Sequence, residues 1–259
     1  MSLNDPIRTW TDQRVWVVGA SQGIGAAIAR ALIEKGARVA LSARSAQRLD
    51  ALTHLASGNR ALAIPFDVTD KAAFAPALAR IVETWGGVDL VLLVAGTHRS
   101  VRAWEIDDSV ARPMVEINLM GVLHALEVVV PRMLEQKHGG IGIMSSVAGY
   151  RGLPTSLIYG ATKAALINLA ETLYLDLRPR GLSVYLINPG FVKTPLTDEN
   201  AFEMPALISA EEAARQTLRG LERGEFEIHY PKRFTRAMKL LRILPYRWYF
   251  AAVHRITGL

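Results

Sequence analysis

The sequence predicts a single α/β domain built on a doubly wound parallel sheet with helices on both faces. Three observations carry that expectation. Six short β-branched or apolar runs alternate with helix-length amphipathic segments. The 259 residues suffice for one large domain of this kind. No internal repeat or Pro/Gly-rich linker divides residues 1–229. Strands joined by helices run parallel and cross over with a right hand, which puts ligands at the carboxyl edge of the sheet, near the reversal of strand order.

Val15–Val18 is the first strand, and it passes through Gly19-Ala20-Ser21-Gln22-Gly23-Ile24-Gly25 into the helix Ile24–Lys35. Glycines there permit a tight turn and let backbone approach a pyrophosphate, which then faces the unpaired N–H groups of the helix N-terminus. The second strand, Ala37–Ser42, ends in Ser42-Ala43-Arg44-Ser45 before the helix Ala46–Ala56, with no Asp or Glu from Arg38 to Arg48. A free ribose 2′-OH calls for a carboxylate at this place, whereas a 2′-phosphate calls for a cation and hydroxyls. Arg44 and Ser21 therefore favour NADP(H), with NAD(H) the weaker expectation. After the third strand, Ala61–Pro65, Asp67 and Val68 fall where an adenine would sit, and Asp70 suits the cap of the helix Lys71–Thr84.

The fourth strand, Val88–Val94, ends in Val94-Ala95-Gly96, and the long helix Ser109–Glu135 follows. Asn118 is an amide inside that apolar helix, where its polar group needs a partner. The fifth strand, Gly140–Ser145, delivers Ser146 to the carboxyl edge. Thirteen residues later, Tyr159-Gly160-Ala161-Thr162-Lys163 opens the helix Tyr159–Arg178. The four-residue separation places phenol and ammonium on one helical face, so the cation is expected to lower a tyrosine pKa that starts near 10 and make it a usable acid and base. The sixth strand, Leu182–Ile187, leads into Asn188-Pro189-Gly190 and an irregular, apolar stretch containing Phe191, Val192, Leu196, Phe202, Met204, Leu207 and Ile208, before the helix Ala210–Arg223.

Half the residues are hydrophobic and 21% are charged, which excludes disordered, collagen-like and coiled-coil chains. The absence of cysteine excludes a disulfide scaffold, a thiolate nucleophile and Cys-ligated metal; no metal site is expected. No run approaches the roughly 18 uninterrupted apolar residues of a membrane span, and Met1 to Trp10 lacks the plan of a signal peptide, so a cytoplasmic protein is expected. The net charge of +6 is local. Residues 232–259 hold seven Lys or Arg and no acid, leaving 23 basic against 24 acidic residues elsewhere. Residues 230–259 thus read as a basic extension of two short amphipathic helices broken at Pro245, appended to the domain at 1–229. Its open uses are a helix lying on an anionic membrane, packing on a partner subunit or closing over the pocket, and docking of an acidic carrier or a coenzyme A phosphate.

Taken together, Gly19/Gly23/Gly25, Asp67, the Asn118 segment, Ser145-Ser146-Val147-Ala148-Gly149, Tyr159 with Lys163, and Pro189-Gly190 followed by Val192 and Thr194 resemble the classical short-chain dehydrogenase/reductase superfamily from about Arg14 to Tyr230. The resemblance implies a Rossmann-like fold, a homodimer or homotetramer, and a catalytic set carried here by Asn118, Ser146, Tyr159 and Lys163. It further implies hydride exchange between a nicotinamide and a carbonyl or alcohol, with Tyr159 as general acid/base, Ser146 on the substrate oxygen and Lys163 on the ribose. The cofactor would lie along Gly19, Ser21, Gln22, Gly23, Ile24, Gly25, Arg44, Asp67, Val68, Ala95, Gly96, Pro189, Gly190, Val192 and Thr194. One departure is Val94, where the family usually has Asn; altered local stability is expected there, not lost activity. The expected function is NADP(H)-dependent reduction of a lipophilic or acyl ketone or aldehyde. The alternative is a non-catalytic NADP(H)-binding regulator, since dinucleotide folds do not imply catalysis. Nucleic-acid binding is disfavoured by the near-neutral domain and the apolar face of the tail.

Overall fold

In the computed structural model, which describes residues 2–197 and 204–258, seven parallel strands form one sheet in the order β3-β2-β1-β4-β5-β6-β7. The strands are β1 (Arg14–Val18), β2 (Arg38–Ser42), β3 (Ala61–Ala63), β4 (Leu90–Leu93), β5 (Gly140–Met144), β6 (Ser183–Pro189) and β7 (Glu227–Tyr230). The helices are α1 (Gly23–Glu34), α2 (Ala46–Thr53), α3 (Phe74–Trp85), α4 (Asp108–Val115), α5 (Gly121–Gln136), α6 (Leu157–Leu177), α7 (Ala210–Glu222), α8 (Lys232–Ile243) and α9 (Tyr246–Thr257).

Period-two alternation along the strands splits the core between the two faces of the sheet. Trp16, Val91, Leu93, Ile141, Ile143 and Val184 pack with α3, α5 and α6, whereas Val15, Val17, Leu90, Leu92 and Ile187 pack with α1 and α7. Strand order reverses between β1 and β4, so the loops after these two strands face each other at the carboxyl edge.

Three details differ from the sequence reading. The strand β7 is missing from it, because Glu227-Ile228-His229-Tyr230 has no apolar run; Glu227 and His229 are instead accommodated by hydrogen bonds to Tyr150, Asn188, Lys239 and Thr235. The helix expected over Ser109–Glu135 is two helices, α4 and α5, joined by a π-helical turn at Glu116–Met120 that carries Asn118. The helix bearing Tyr159 begins two residues earlier, at Leu157. Residues 108–136 are long and apolar enough by composition to cross a membrane. In the fold, however, Val122, Ala125, Leu126, Val129 and Met133 of this stretch are buried in the core.

The chain from Pro231 onward folds back onto the domain. Phe234 and Met238 of α8 pack on the core, and Thr235 is fully buried. The Arg151 guanidinium donates to the carbonyls of Leu241, Arg242 and Leu244 at 3.2, 3.1 and 2.5 Å, satisfying groups that a helix end leaves unpaired. It also lies 4.0 Å from the Tyr249 ring centroid, and the Tyr249 hydroxyl donates to the Gly152 carbonyl at 2.5 Å.

Candidate active site

The cleft forms where β1 and β4 diverge, and close backbone approach makes it. Gly19 has φ +99°, and a Cβ there would stand 2.5 Å from the Ala95 nitrogen. A Cβ at Gly25 would stand 2.1 Å from the Gly19 carbonyl oxygen. Only glycine fits either place. The α1 N-terminus opens into this loop, and Gln22 makes no side-chain cap. Its first-turn N–H groups are therefore not taken up by a capping side chain, which suits an anion.

One cleft of about 690 Å³ is lined by Gly19, Ser21, Gln22, Gly23, Ile24, Gly25, Arg44, Asp67, Val68, Ala95, Gly96, Ser146, Tyr159, Lys163, Pro189, Gly190, Val192 and Thr194, all singled out from sequence. Asn118 is off its surface, fully buried behind Gly96, where a Cβ would stand 3.4 Å from the amide oxygen. Phe202 lies outside the described residues. Val192 and Ile208 form a parallel bridge, and Phe191 packs on Phe234 of α8 at 5.6 Å between ring centroids. Leu207, expected in an apolar cover, is exposed.

At one end of the cleft, Arg44, Ser45 and Arg48 stand together beyond β2. Arg48 donates to the Gln22 side-chain oxygen at 2.6 Å, tying α2 to the glycine loop. Asp67 accepts from the Thr69 amide and hydroxyl at 3.0 and 2.9 Å, and Asp70 accepts from the Ala72 amide at 3.0 Å as the expected cap.

At the other end, β5 and α6 are locked together. The Ser145 hydroxyl donates to the Lys163 carbonyl at 2.7 Å, and the Lys163 ammonium donates to the Met144 carbonyl at 2.9 Å. Gly149 permits this contact, since a Cβ there would stand 2.6 Å from the Lys163 carbonyl carbon. The Ser146 oxygen accepts from the Ala148 amide at 3.1 Å, and its hydroxyl lies near enough to the Tyr159 phenol to favour the phenolate. Asn118 braces the loop after β4: its amide nitrogen donates to the Thr97 carbonyl at 3.0 Å and to the Thr162 hydroxyl at 3.2 Å, and its oxygen accepts from the Thr97 amide at 2.7 Å. At Val94, the backbone amides of Val94 and Ala95 both donate to the Val18 carbonyl, at 2.8 and 2.9 Å, and the Val94 side chain packs on the core.

The electrostatics correct one expectation. Burial raises the Tyr159 phenol above its ordinary value, and only the neighbouring Ser146 hydroxyl works downward. The Lys163 ammonium stands 5.6 Å from the ring centroid, pointed at the Met144 carbonyl, and burial brings its own pKa down to about 8. Helical spacing places both groups on one face but does not register how deeply they are buried, and burial dominates here.

Among the lining residues that escaped the sequence reading, Arg48 and His98 bear most on the site. Arg48 is one turn into α2, and its signal was its position four residues after Arg44. His98 meets Tyr159 edge-on, with ring centroids 4.8 Å apart and planes at 89°. Its signal was its place two residues past Ala95-Gly96, in the loop at the carboxyl edge of β4.

A glycine-lined dinucleotide cleft running into a Ser–Tyr–Lys cluster defines a class of nicotinamide-dependent oxidoreductases. The short chain dehydrogenase profile matches residues 13–204. An "uncharacterized oxidoreductase" of Myxococcus xanthus is 34% identical over 242 residues, covering 93% of this chain and 96% of that protein. One of Staphylococcus epidermidis is 34% identical over 186 residues, covering 72% and 80%. Among solved structures, a short-chain dehydrogenase/reductase of Burkholderia phymatum in complex with NAD superposes with a TM-score of 0.81 at 25% identity, over 90% of this chain and 94% of that one. A short-chain dehydrogenase of Streptomyces avermitilis superposes with a TM-score of 0.79 at 24% identity, over 95% and 98%, and shares the fold. The chain belongs to the short-chain dehydrogenase/reductase family and is an oxidoreductase with a nicotinamide cofactor.

Proposed function

We propose that this enzyme is an NADP(H)-dependent reductase of a lipophilic or acyl ketone or aldehyde, acting in the cytoplasm. The observation that carries the reading is the convergence of Ser146, Tyr159 and Lys163 at one end of a cleft whose other end is held by Arg44 and Arg48. The Burkholderia protein was solved with NAD. Selection of a 2′-phosphate is therefore assigned to side chains of this chain: two guanidiniums, Ser21 and Ser45, with no carboxylate in the loop after β2.

When bound, the cofactor supplies two electrons to the carbonyl carbon as hydride. The residues of the chain handle the oxygen and the proton. Ser146 donates a hydrogen bond to the substrate oxygen and fixes its position. Tyr159 donates its phenolic proton to that oxygen as the carbonyl becomes an alcohol, and a phenol kept protonated by burial suits this direction. The Lys163 ammonium, 5.6 Å from the Tyr159 ring centroid, then stands near the phenolate left behind, and each pKa unit by which it favours the phenolate is worth about 1.4 kcal/mol. Asn118 acts through the Thr97 backbone, as a positioning residue. The lipophilic substrate is supported by Val192, Leu196 and Ile117 along the cleft.

The test is NADPH consumption with a panel of lipophilic ketones and aldehydes, for the wild type and Tyr159→Phe. The variant is expected to bind NADPH like the wild type and to lose at least about a hundredfold in kcat. Nearly full turnover in the variant overturns the assignment of Tyr159. NADPH binding by the wild type with no turnover across the panel favours the non-catalytic regulator.

A further inference from the structure

Two helices at the end of the chain, α8 and α9, pack one face on the domain and expose residues of an unusual composition. The inner faces are Phe234, Thr235, Met238 and Lys239 on α8 and Tyr249 and Val253 on α9. Exposed on the two helices are Leu240, Ile243, Trp248 and Ile256, each more than half accessible; Tyr246 and Phe250 are also exposed, but the Tyr246 ring lies 4.7 Å from the Arg151 guanidinium and Phe250 lies beside Gly152, Leu153 and Pro154. Between them, also exposed, are Arg233, Arg236, Arg247 and Arg255. Residues 232–259 contain no Asp or Glu.

The geometry points to this outer face as a docking surface for an anionic lipid bilayer. The charge pattern selects that occupant. A second copy seated by two-fold symmetry would set this face against itself, placing arginine on arginine with no acidic group of the tail to meet it. A nucleic-acid backbone would satisfy the arginines but leave aliphatic Leu240, Ile243 and Ile256 facing phosphate and water. An anionic bilayer satisfies both parts: headgroups pair with the guanidiniums, aliphatic side chains enter the acyl boundary, and Trp248 suits the interface between. The face is held firmly for this use, because Arg151 fastens the end of α8 and Tyr249 fastens α9. This proposal goes beyond the reductase reading and does not rest on it.

The test uses the full chain, without cofactor or substrate, in co-sedimentation with vesicles of phosphatidylcholine alone and of phosphatidylcholine with about one part in three phosphatidylglycerol. The protein is expected to pellet with the anionic vesicles only, and to be released as salt rises. Arg233→Glu/Arg236→Glu is expected to weaken binding at least about tenfold. Ile243→Ser/Trp248→Ser is expected to weaken it similarly with an unchanged circular dichroism spectrum and NADPH affinity. Failure of the wild type to pellet, or equal pelleting with neutral vesicles, overturns the proposal. So does a fall in oligomer mass on Ile243→Ser/Trp248→Ser, which would assign the face to a second copy, or retention of duplex DNA without vesicle binding.

Discussion

Arg44 is exposed at the end of β2 and makes its case by charge and position. A charge-assisted contact with a 2′-phosphate contributes about 1.5–3 kcal/mol. Arg44→Glu should therefore weaken NADPH binding by roughly tenfold to a hundredfold while leaving NADH affinity unchanged or improved, read by fluorescence titration of both cofactors. Equal affinity of the wild type for NADPH and NADH would remove Arg44 and Arg48 from the specificity argument. At this scale the sequence was informative wherever chain spacing equals spatial spacing. Gly19, Gly23 and Gly25 lie in one turn, and Tyr159 and Lys163 lie one helical turn apart, so their convergence could be read directly. Ser146 could be placed because a strand end fixes its edge. His98 was harder: its place just past Ala95-Gly96 puts it at the edge of the cleft, but its contact joins the loop after β4 to Tyr159 on α6, 61 residues away in sequence.

Elements position these side chains through a few backbone contacts, and Gly149 is the most demanding of them. It lies in the short turn after β5, where a Cβ would stand 2.6 to 2.8 Å from the Lys163 carbonyl carbon and oxygen and the Ala164 nitrogen. These are backbone atoms in the middle of α6, so the helix itself must yield. Gly149→Ala is expected to cost about 1–3 kcal/mol. It should also move Tyr159 relative to Ser146, and a displacement near 1 Å costs about a hundredfold in rate. Thermal denaturation and kcat measured together check this: a loss of stability with kcat intact would show that β5 and α6 tolerate separation. Helix and strand alternation was legible because amphipathic periods of 3.6 and 2 are strong over long segments. The strand β7 and the π turn were not, for a common reason. Both carry polar groups drawn into the fold, half-buried Glu227 and buried His229 in one and buried Asn118 in the other, each paired by a hydrogen bond from outside its own element. Hydrophobic periodicity does not see a polar residue made buriable by a tertiary hydrogen bond.

For the molecule as a whole, the buried titratable groups set how stability responds to pH. Burial holds His229 down to about 4, so its neutral form contributes stability that is lost as pH falls from about 6.5 toward 4. Burial works to raise the Glu227 carboxyl, but hydrogen bonds from Lys239, Tyr150 and Asn188 outweigh it; the net lowering means its contribution also declines on acidification. On the alkaline side two opposed effects meet. Burial holds Lys163 at about 8 in the folded chain against an ordinary 10.5. Between those values the unfolded chain binds the extra proton, so this residue makes stability rise with pH; its full penalty, about 3 kcal/mol, is felt below pH 8. Burial raises the phenols of Tyr159, Tyr150, Tyr185 and Tyr230, so above pH 10 the unfolded chain loses protons first and stability falls. Lys163→Met removes the first effect and keeps the second. The variant is therefore expected to be inactive yet more stable than the wild type at pH 7, by up to about 3 kcal/mol less the value of the lost hydrogen bond to Met144. That advantage should shrink as pH rises from 8 to 10. Denaturant melts of both proteins at pH 7, 8, 9 and 10 measure it. A constant difference across the series would show that Lys163 keeps its proton in the folded enzyme, and that the Met144 carbonyl and the Tyr159 ring compensate its burial more fully than their distances imply.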